Sequence, residues 1–122
     1  MPPKKETEIR SWAALPKSGL VLITGFRGTG KTGLAWRLAE QGHDKGRDVA
    51  AFDFTQAAKR ALPPWVKHVA TMKQVGSLSP SLLVVDEAAL KVNARRHQSN
   101  ENIAWTRLLA VARHKGHLVL LI

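Results

Sequence analysis

The sequence contains no cysteine, which excludes disulfide bonds, thiolate metal sites and cysteine nucleophiles. No apolar run approaches the ~20 residues that a membrane-spanning helix needs. The N-terminus is basic, but no apolar core of a secretion signal follows it. Internal repeats and low-complexity tracts are also missing. For a chain of 122 residues, these absences predict a single cytoplasmic domain with no membrane span.

Acidic residues are scarce. Nine Asp and Glu stand against 19 Lys and Arg, which gives a formal net charge of +10 and an isoelectric point near 10.8. This balance favours a polyanionic partner, most often nucleic acid, although an ordinary basic protein with a solvated surface has the same composition. A hydrophobic fraction of 44% and a charged fraction of 23% are typical of a globular chain.

The hydrophobic pattern divides the chain into a lead-in, residues 1–18, and an α/β domain, residues 19–122. Apolar runs typical of strands buried on both faces of a parallel sheet occur at Leu20–Thr24, Asp48–Phe54, Leu82–Val85 and His117–Ile122. Helical patterns cover Lys31–Gln41, with Gly42 as the expected stop, Gln56–Leu62, and Glu101–His114. Trp65–Ala70 is predicted to be a short extended piece and Ala88–Ser99 to be partly irregular. Such alternation predicts an α/β fold with a parallel sheet.

The turn after the first strand carries the most specific motif. Its residues Gly25, Phe26, Arg27, Gly28, Thr29, Gly30, Lys31 and Thr32 fit G-x-x-x-x-G-K-[ST], the phosphate-binding P-loop. Glycines let backbone N–H groups curl around phosphate oxygens, and the dipole of the following helix favours an anion. Lys31 would neutralise the β- and γ-phosphates, and the Thr32 hydroxyl would ligate Mg²⁺. These residues together with Gly33 form the predicted nucleotide site.

A pair of carboxylates follows the strand Leu82–Val85. Asp86 is delivered to the carboxyl edge of the sheet, where it can hold Mg²⁺ together with Thr32. Glu87 can orient and deprotonate an attacking water, a role that suits hydrolysis. Lys31 and Glu87 are therefore the predicted catalytic residues. An Asp-Glu pair after an apolar run is also a common strand end with a helix cap.

Two basic clusters remain. Arg95 and Arg96 lie between the carboxylates and the last helix, and are candidates for a DNA-contacting or intersubunit segment, although charge runs are usually a solvated face. Arg113 and His114 precede the last strand. In a P-loop fold that strand lies between the two motif-bearing strands, and the loop before it lies on the side of the sheet away from the nucleotide. Arg113 is therefore expected to be a structural clamp or an interface residue, with a phosphate contact in a neighbouring subunit as the alternative. Arg113 and His114 are candidates for a nucleic-acid or interface contact.

The P-loop, the Asp86-Glu87 pair and Arg113-His114-x-Gly116 together resemble the P-loop ATPases that have an additional strand between their two motif-bearing strands, the ASCE class. Within that class the chain is most similar to the FtsK/HerA-type DNA motors, the zonula occludens toxin-like proteins of filamentous phage, and the viral genome-packaging ATPases. The resemblance implies a three-layer α/β/α fold with a mostly parallel sheet, with ATP and Mg²⁺ as cofactors. It also implies hydrolysis of ATP and a homo-oligomeric ring that moves DNA. The net charge of +10, with no recognition-helix or base-stacking motif in the sequence, predicts that DNA is bound without sequence preference.

Members of this family continue beyond the fourth core strand with a polar sensor residue and a further strand. The sequence therefore predicts a domain that lacks the C-terminal strand or strands of the full core. A phage or viral member would act in the host cytoplasm.

Other functions share some of these residues. A nucleotide- or nucleic-acid-binding module without turnover would also have the P-loop and would not need the sensor. A small-molecule P-loop kinase has the P-loop but usually carries an arginine-rich lid and lacks a carboxylate at the position of Glu87. A GTPase would need an Asn-Lys-x-Asp motif, which the sequence lacks.

Overall fold

The computed structural model of the chain describes residues 15–23, 31–52, 60, 62–96 and 101–122. At residues 31, 32, 87, 89, 92, 93, 96, 101 and 102 it describes the backbone only. The strands in these residues are β1 Gly19–Leu22, β2 Asp48–Phe52, β3 Val66–Val69, β4 Ser81–Val85 and β5 Leu118–Leu121. The helices are α1 Lys31–Asp44, α2 Met72–Ser77, α3 Glu87–Arg96 and α4 Glu101–Lys115.

The five strands form one sheet in the order β1-β5-β4-β2-β3, and every neighbouring pair is parallel. In the register, Leu20 of β1 lies opposite Val119 of β5, and Leu83 of β4 lies opposite the same Val119 from the other side. The prediction of an α/β fold with a parallel sheet is confirmed. The last strand was expected between the two motif-bearing strands, and β5 does lie between β1 and β4.

Helices cover both faces of the sheet. On one face, α2, α3 and α4 bury Val75, Leu90 and Leu108 against sheet residues such as Phe52 and Leu83. On the other face, α1 buries Ala35, Leu38 and Ala39 against Val49, Leu82, Val84, Leu118 and Leu120. The central strand β4 is therefore buried along its whole length, which explains its uninterrupted apolar sequence.

Local signals explain where two of the helices begin and end. Thr71 and Gln74 form a capping box at the start of α2, in which each side chain accepts a hydrogen bond from the other residue's backbone N–H. At the end of α1, Gly46 has a φ of +87°, its N–H donates to the carbonyl of His43, and the N–H of Arg47 donates to the carbonyl of Gly42. This is a Schellman turn, and it ends the helix at Asp44. The prediction that Gly42 stops α1 is therefore wrong.

The first strand differs from the prediction in its burial. Its apolar run was expected to be covered on both faces, but Leu20 is 44% exposed and Leu22 is 59% exposed. In the described part of the chain β1 pairs only with β5, so it lies at an edge of the sheet. Val21 and Ile23 point to the opposite face and pack against the core beneath α1. The face of β1 that carries Val21 and Ile23 is therefore covered, and the face that carries Leu20 and Leu22 is largely exposed.

Two further segments are more regular than expected. The segment after Asp86 was predicted to be partly irregular, but Glu87–Arg96 is the helix α3, because Leu90 and Ala94 recur at helical spacing and are buried in the core. The extended piece at Trp65–Ala70 contains β3, the strand at the other edge of the sheet. The predicted helix Gln56–Leu62 lies almost wholly outside the described residues, as does the lead-in up to residue 14.

Candidate functional site

The carboxyl ends of β1, β5 and β4 lie level with one another. The N–H of Ile23 donates to the carbonyl of Leu121 at 2.9 Å, and the N–H of Ile122 donates to the carbonyl of Val85 at 2.9 Å. The P-loop sequence starts two residues after Ile23, and Asp86 directly follows Val85. Only β5 separates the two strands, so their ends are about 10 Å apart. Both motifs therefore leave the sheet at one edge.

The helix after the P-loop begins at Lys31, which puts Lys31 and Thr32 in the first turn of α1. The first N–H groups of a helix have no partner within the helix, and the helix dipole places positive charge there. Gly33 in the same turn is exposed, and a Cβ atom added to it would meet nothing within 4 Å. A side chain at position 33 would therefore point into open space. Residues 25–30 lie outside the described part of the chain.

The helices that follow these two strands lie on opposite faces of the sheet. After β1 the chain enters α1 on one face, and after β4 it enters α3 on the other. In open parallel sheets, a crevice forms at the carboxyl edge where successive connections diverge in this way, and ligands bind there. The P-loop sequence and the Asp86-Glu87 pair leave the sheet at this edge.

Asp86 acts as the N-cap of α3. Its side chain is half-buried, and its Oδ1 accepts a hydrogen bond of 2.8 Å from the N–H of Ala88. Its carbonyl accepts the first hydrogen bond of the helix, from the N–H of Leu90 at 3.0 Å. Asp86 therefore has the helix-capping role that the sequence analysis gives as the alternative to metal binding. Capping fixes the carboxylate at the carboxyl edge, where a metal ligand would also have to lie.

Glu87 and the basic cluster occupy opposite ends of α3. Glu87 is the first residue of the helix, next to Asp86. Arg95 is exposed in the last turn, nine residues beyond Asp86, or about 14 Å along the helix axis. Arg96 follows it. The length of α3 therefore separates the cluster from Glu87.

Arg113 and His114 lie in the last turn of α4, at the opposite edge of the sheet. There, Gly116 turns the chain into β5 with a φ of +73°. Both side chains are exposed, and Arg113 lines a cavity of about 280 Å³ together with Ser18, Gly19 and His117. The expectation that this segment lies away from the nucleotide motif is confirmed. Arg113 can thus be a structural clamp or an interface residue, but it cannot reach the crevice of its own chain.

A buried hydrogen-bond network at the amino edge of the sheet was not predicted. His117 is fully buried, its Nδ1 accepts from the N–H of Ser81 at 3.0 Å, and its Nε2 donates to the carbonyl of Val75 at 2.9 Å. The Ser81 hydroxyl donates to the carbonyl of Ser79, and Arg47 donates to the carbonyl of Ser81 at 3.3 Å. The network joins β4, β5 and α2. Its partners require a neutral imidazole with its proton on Nε2.

We expect this histidine to make the fold acid-sensitive. Burial lowers the pKa of His117, and the nearby charges of Lys115 and Arg47 lower it further, against the hydrogen bond to Val75, which raises it. The unfolded chain therefore takes up this proton more readily than the folded chain. The stabilisation should be complete above pH about 6.5 and decline as the pH falls from there to the lower folded-state pKa, by at most about 1.4 kcal/mol per pH unit.

Urea unfolding between pH 8 and pH 5 measures this effect. Replacing His117 with Gln should remove that part of the pH dependence, whereas His114→Gln, at an exposed histidine three residues earlier, should keep it. A nuclear magnetic resonance titration of the His117 ring reports the same pKa in the unmodified protein. A ring that titrates at or above pH 6.5 would contradict the assignment.

No protein-family model matches the chain, and no curated protein matches it. Among the described residues, no helix combines the length and apolar character needed to cross a membrane.

Proposed function

We propose that this chain is an ATP-binding and ATP-hydrolysing domain of a DNA-handling motor that acts in packaging, translocation or phage assembly. The observation that carries the proposal is the strand order. With β5 between β1 and β4, the P-loop sequence and the Asp86-Glu87 pair leave two near-neighbouring strands at the same edge. The ASCE ATPases, which the sequence resembles, have an additional strand in this position.

The residues at the carboxyl edge fit a magnesium nucleotide. A helix N-terminus at Lys31 suits a phosphate group, and a hydroxyl and a carboxylate are the oxygen ligands that Mg²⁺ prefers. Thr32 and Asp86 would hold the metal, whose charge offsets that of the phosphates. Lys31 would add a second positive charge there. Gly25, Gly28 and Gly30 would leave room for backbone donors around the phosphates.

The catalytic part of the proposal concerns Glu87. As the first residue of α3, it follows the N-cap residue Asp86, so its backbone is fixed at the carboxyl edge. A carboxylate there can accept a proton from a water that attacks the terminal phosphate. A kinase would instead transfer the phosphate to a second substrate, and would gain nothing from a base that activates water.

A phosphate-release assay with the full chain tests this function. We expect Mg²⁺-dependent hydrolysis of ATP, with a rate that rises when duplex DNA is added. Binding of ATP without hydrolysis would favour a binding module without turnover. Transfer of phosphate to added nucleosides would favour a small-molecule kinase. Absence of any nucleotide binding in calorimetry would refute the site itself.

A further inference from the structure

The two helical layers differ sharply in charge. Helices α2, α3 and α4 contain seven of the chain's 19 Lys and Arg residues and two of its nine Asp and Glu residues. Helix α1, which packs on the other face of the sheet, contains two of each. The two acids of the three-helix layer, Glu87 and Glu101, are the first residues of their helices, where they offset the helix dipole. The rest of that layer carries positive charge only.

We call the exposed cations of this layer the basic face. It comprises Lys73 on α2, Lys91 and Arg95 on α3, and Arg107 and Arg113 on α4. Helix α4 packs against both α2 and α3, so the three helices lie side by side. Helices in contact are 8–10 Å apart, so the cations of neighbouring helices are close enough to act on one ligand.

The spacing along the helices suits a phosphate backbone. Lys91 and Arg95 are four residues apart and lie on the same side of α3, about 6 Å from each other along its axis. One strand of duplex DNA carries a phosphate about every 3.4 Å of its axis, so such a pair spans about two phosphates. A rigid helix holds both cations in place, which lowers the entropy lost on binding.

Hydrophobic residues of this layer are turned away from its outer side. Leu90 and Ala94 of α3, and Ala104 and Leu108 of α4, are buried against the sheet. Ile103 is the exception among the large apolar side chains described on these helices, with 42% exposed. A helix that lies on a membrane needs an apolar side free to enter the lipid. The outer side of this layer is cationic instead, which favours a nucleic acid over an anionic membrane.

We propose that the basic face binds the phosphate backbone of duplex DNA without sequence preference. This inference deepens the proposed function, since it assigns a surface to the DNA partner, but it does not depend on ATP binding. Trp105 is half-buried and packs on the core, so it is not placed to stack on bases. Contacts made only to phosphates position a protein on DNA and carry no sequence information.

Two triple variants with equal loss of charge test the proposal. Lys91→Gln, Arg95→Gln and Arg107→Gln together remove three of the five charges of the basic face. Lys17→Gln, Lys45→Gln and Lys67→Gln together remove three exposed charges outside the three-helix layer. Fluorescence anisotropy measures binding of the full chain to two unrelated fluorescein-labelled 20-base-pair duplexes between 50 and 200 mM salt. Over this range the affinity of a protein that makes several phosphate contacts falls by roughly 10³-fold or more.

The basic-face variant should bind both duplexes at least about 10-fold more weakly at 50 mM salt, with a salt slope lower by up to about three. The control variant should stay within about threefold of the unmodified chain and keep its slope, because its three lysines lie outside the basic face and make no phosphate contact. Both variants lose the same net charge, so any difference between them reports the direct contacts. Equal losses in the two variants would overturn the proposal, because binding would then follow net charge. The single variant Arg107→Gln, with an expected slope change of about one, decides the matter if the triple variant does not fold.

The other outcomes separate this inference from the proposed function. An unmodified chain that binds neither duplex at 50 mM salt would overturn both the basic face and the DNA partner. A chain that binds DNA through the basic face but does not bind ATP would overturn the proposed function alone. Vesicles of phosphatidylcholine with 30% phosphatidylserine are titrated in parallel, in place of DNA. Binding to these vesicles and not to DNA would show that the partner class is wrong.

Discussion

Replacing Glu87 with Gln is expected to slow ATP hydrolysis by about 100-fold or more, while ATP binding stays within about twofold of the unmodified chain. Gln keeps the shape of Glu and most of its hydrogen bonding, but it cannot accept a proton. The step that is lost is therefore removal of a proton from the attacking water. Steady-state phosphate release and calorimetric titration with Mg-ATP measure the two quantities separately.

The chain offers a matched control for this variant. Glu101 is the first residue of α4, as Glu87 is of α3, so Glu101→Gln removes the same charge from the same position of a helix. Loss of a helix-terminal carboxylate costs about 0.3–1 kcal/mol of stability in either case. Hydrolysis should be unchanged in Glu101→Gln. If the two variants hydrolyse ATP at the same rate, Glu87 is a helix-start residue only, and the general-base role is wrong.

Strand positions followed from the sequence because the apolar runs mark the buried strands. β4 is buried on both faces, and Leu82–Val85 showed this as four consecutive apolar residues. The same reasoning failed for β1. A run with apolar residues on both faces of a strand does not reveal whether other parts of the chain cover both faces. Leu20 and Leu22 are exposed since β1 lies at the edge of the described sheet, and that is a property of the whole fold.

Helix ends were harder to predict than strands because short-range signals compete. Gly42 and Gly46 both follow the apolar side of α1, and either could have stopped it. Gly46 does so, since its positive φ permits the two hydrogen bonds of the Schellman turn, whereas Gly42 lies buried within the helix. Helix α3 was missed because its polar, basic residues outnumber the two apolar positions that anchor it, Leu90 and Ala94.

The sequence predicts where the candidate site lies in the fold, but not which distant residues are in contact. Asp86 had to lie at the carboxyl edge because it directly follows a buried strand, and the structure places it there. Its capping bond to Ala88 is local, so sequence could suggest it. The partners of His117 are 36 and 42 residues away in the chain, at Ser81 and Val75. No local pattern brings these residues together, because their contact depends on the order of strands in the sheet.

Replacing Lys31 with Ala is expected to weaken binding of Mg-ATP by about 3 kcal/mol, or roughly 100-fold in Kd, as measured by calorimetry. Lys31 begins α1, where its ammonium group would face the β- and γ-phosphates. Its removal takes away a charge-assisted contact and leaves the helix N-terminus and the glycines in place. Residual binding from those groups should therefore persist at high nucleotide concentration.

Lys45 provides the control for this substitution. It follows the last residue of α1 and is exposed, about 21 Å along the helix from Lys31. Lys45→Ala removes the same side chain and the same net charge, so both variants lose equal long-range attraction for an anionic nucleotide. Only Lys31→Ala should lose the direct contact with phosphate. If the two variants bind Mg-ATP with the same Kd, the attraction is that of a basic protein for any polyanion, and the P-loop assignment of residues 25–32 is wrong.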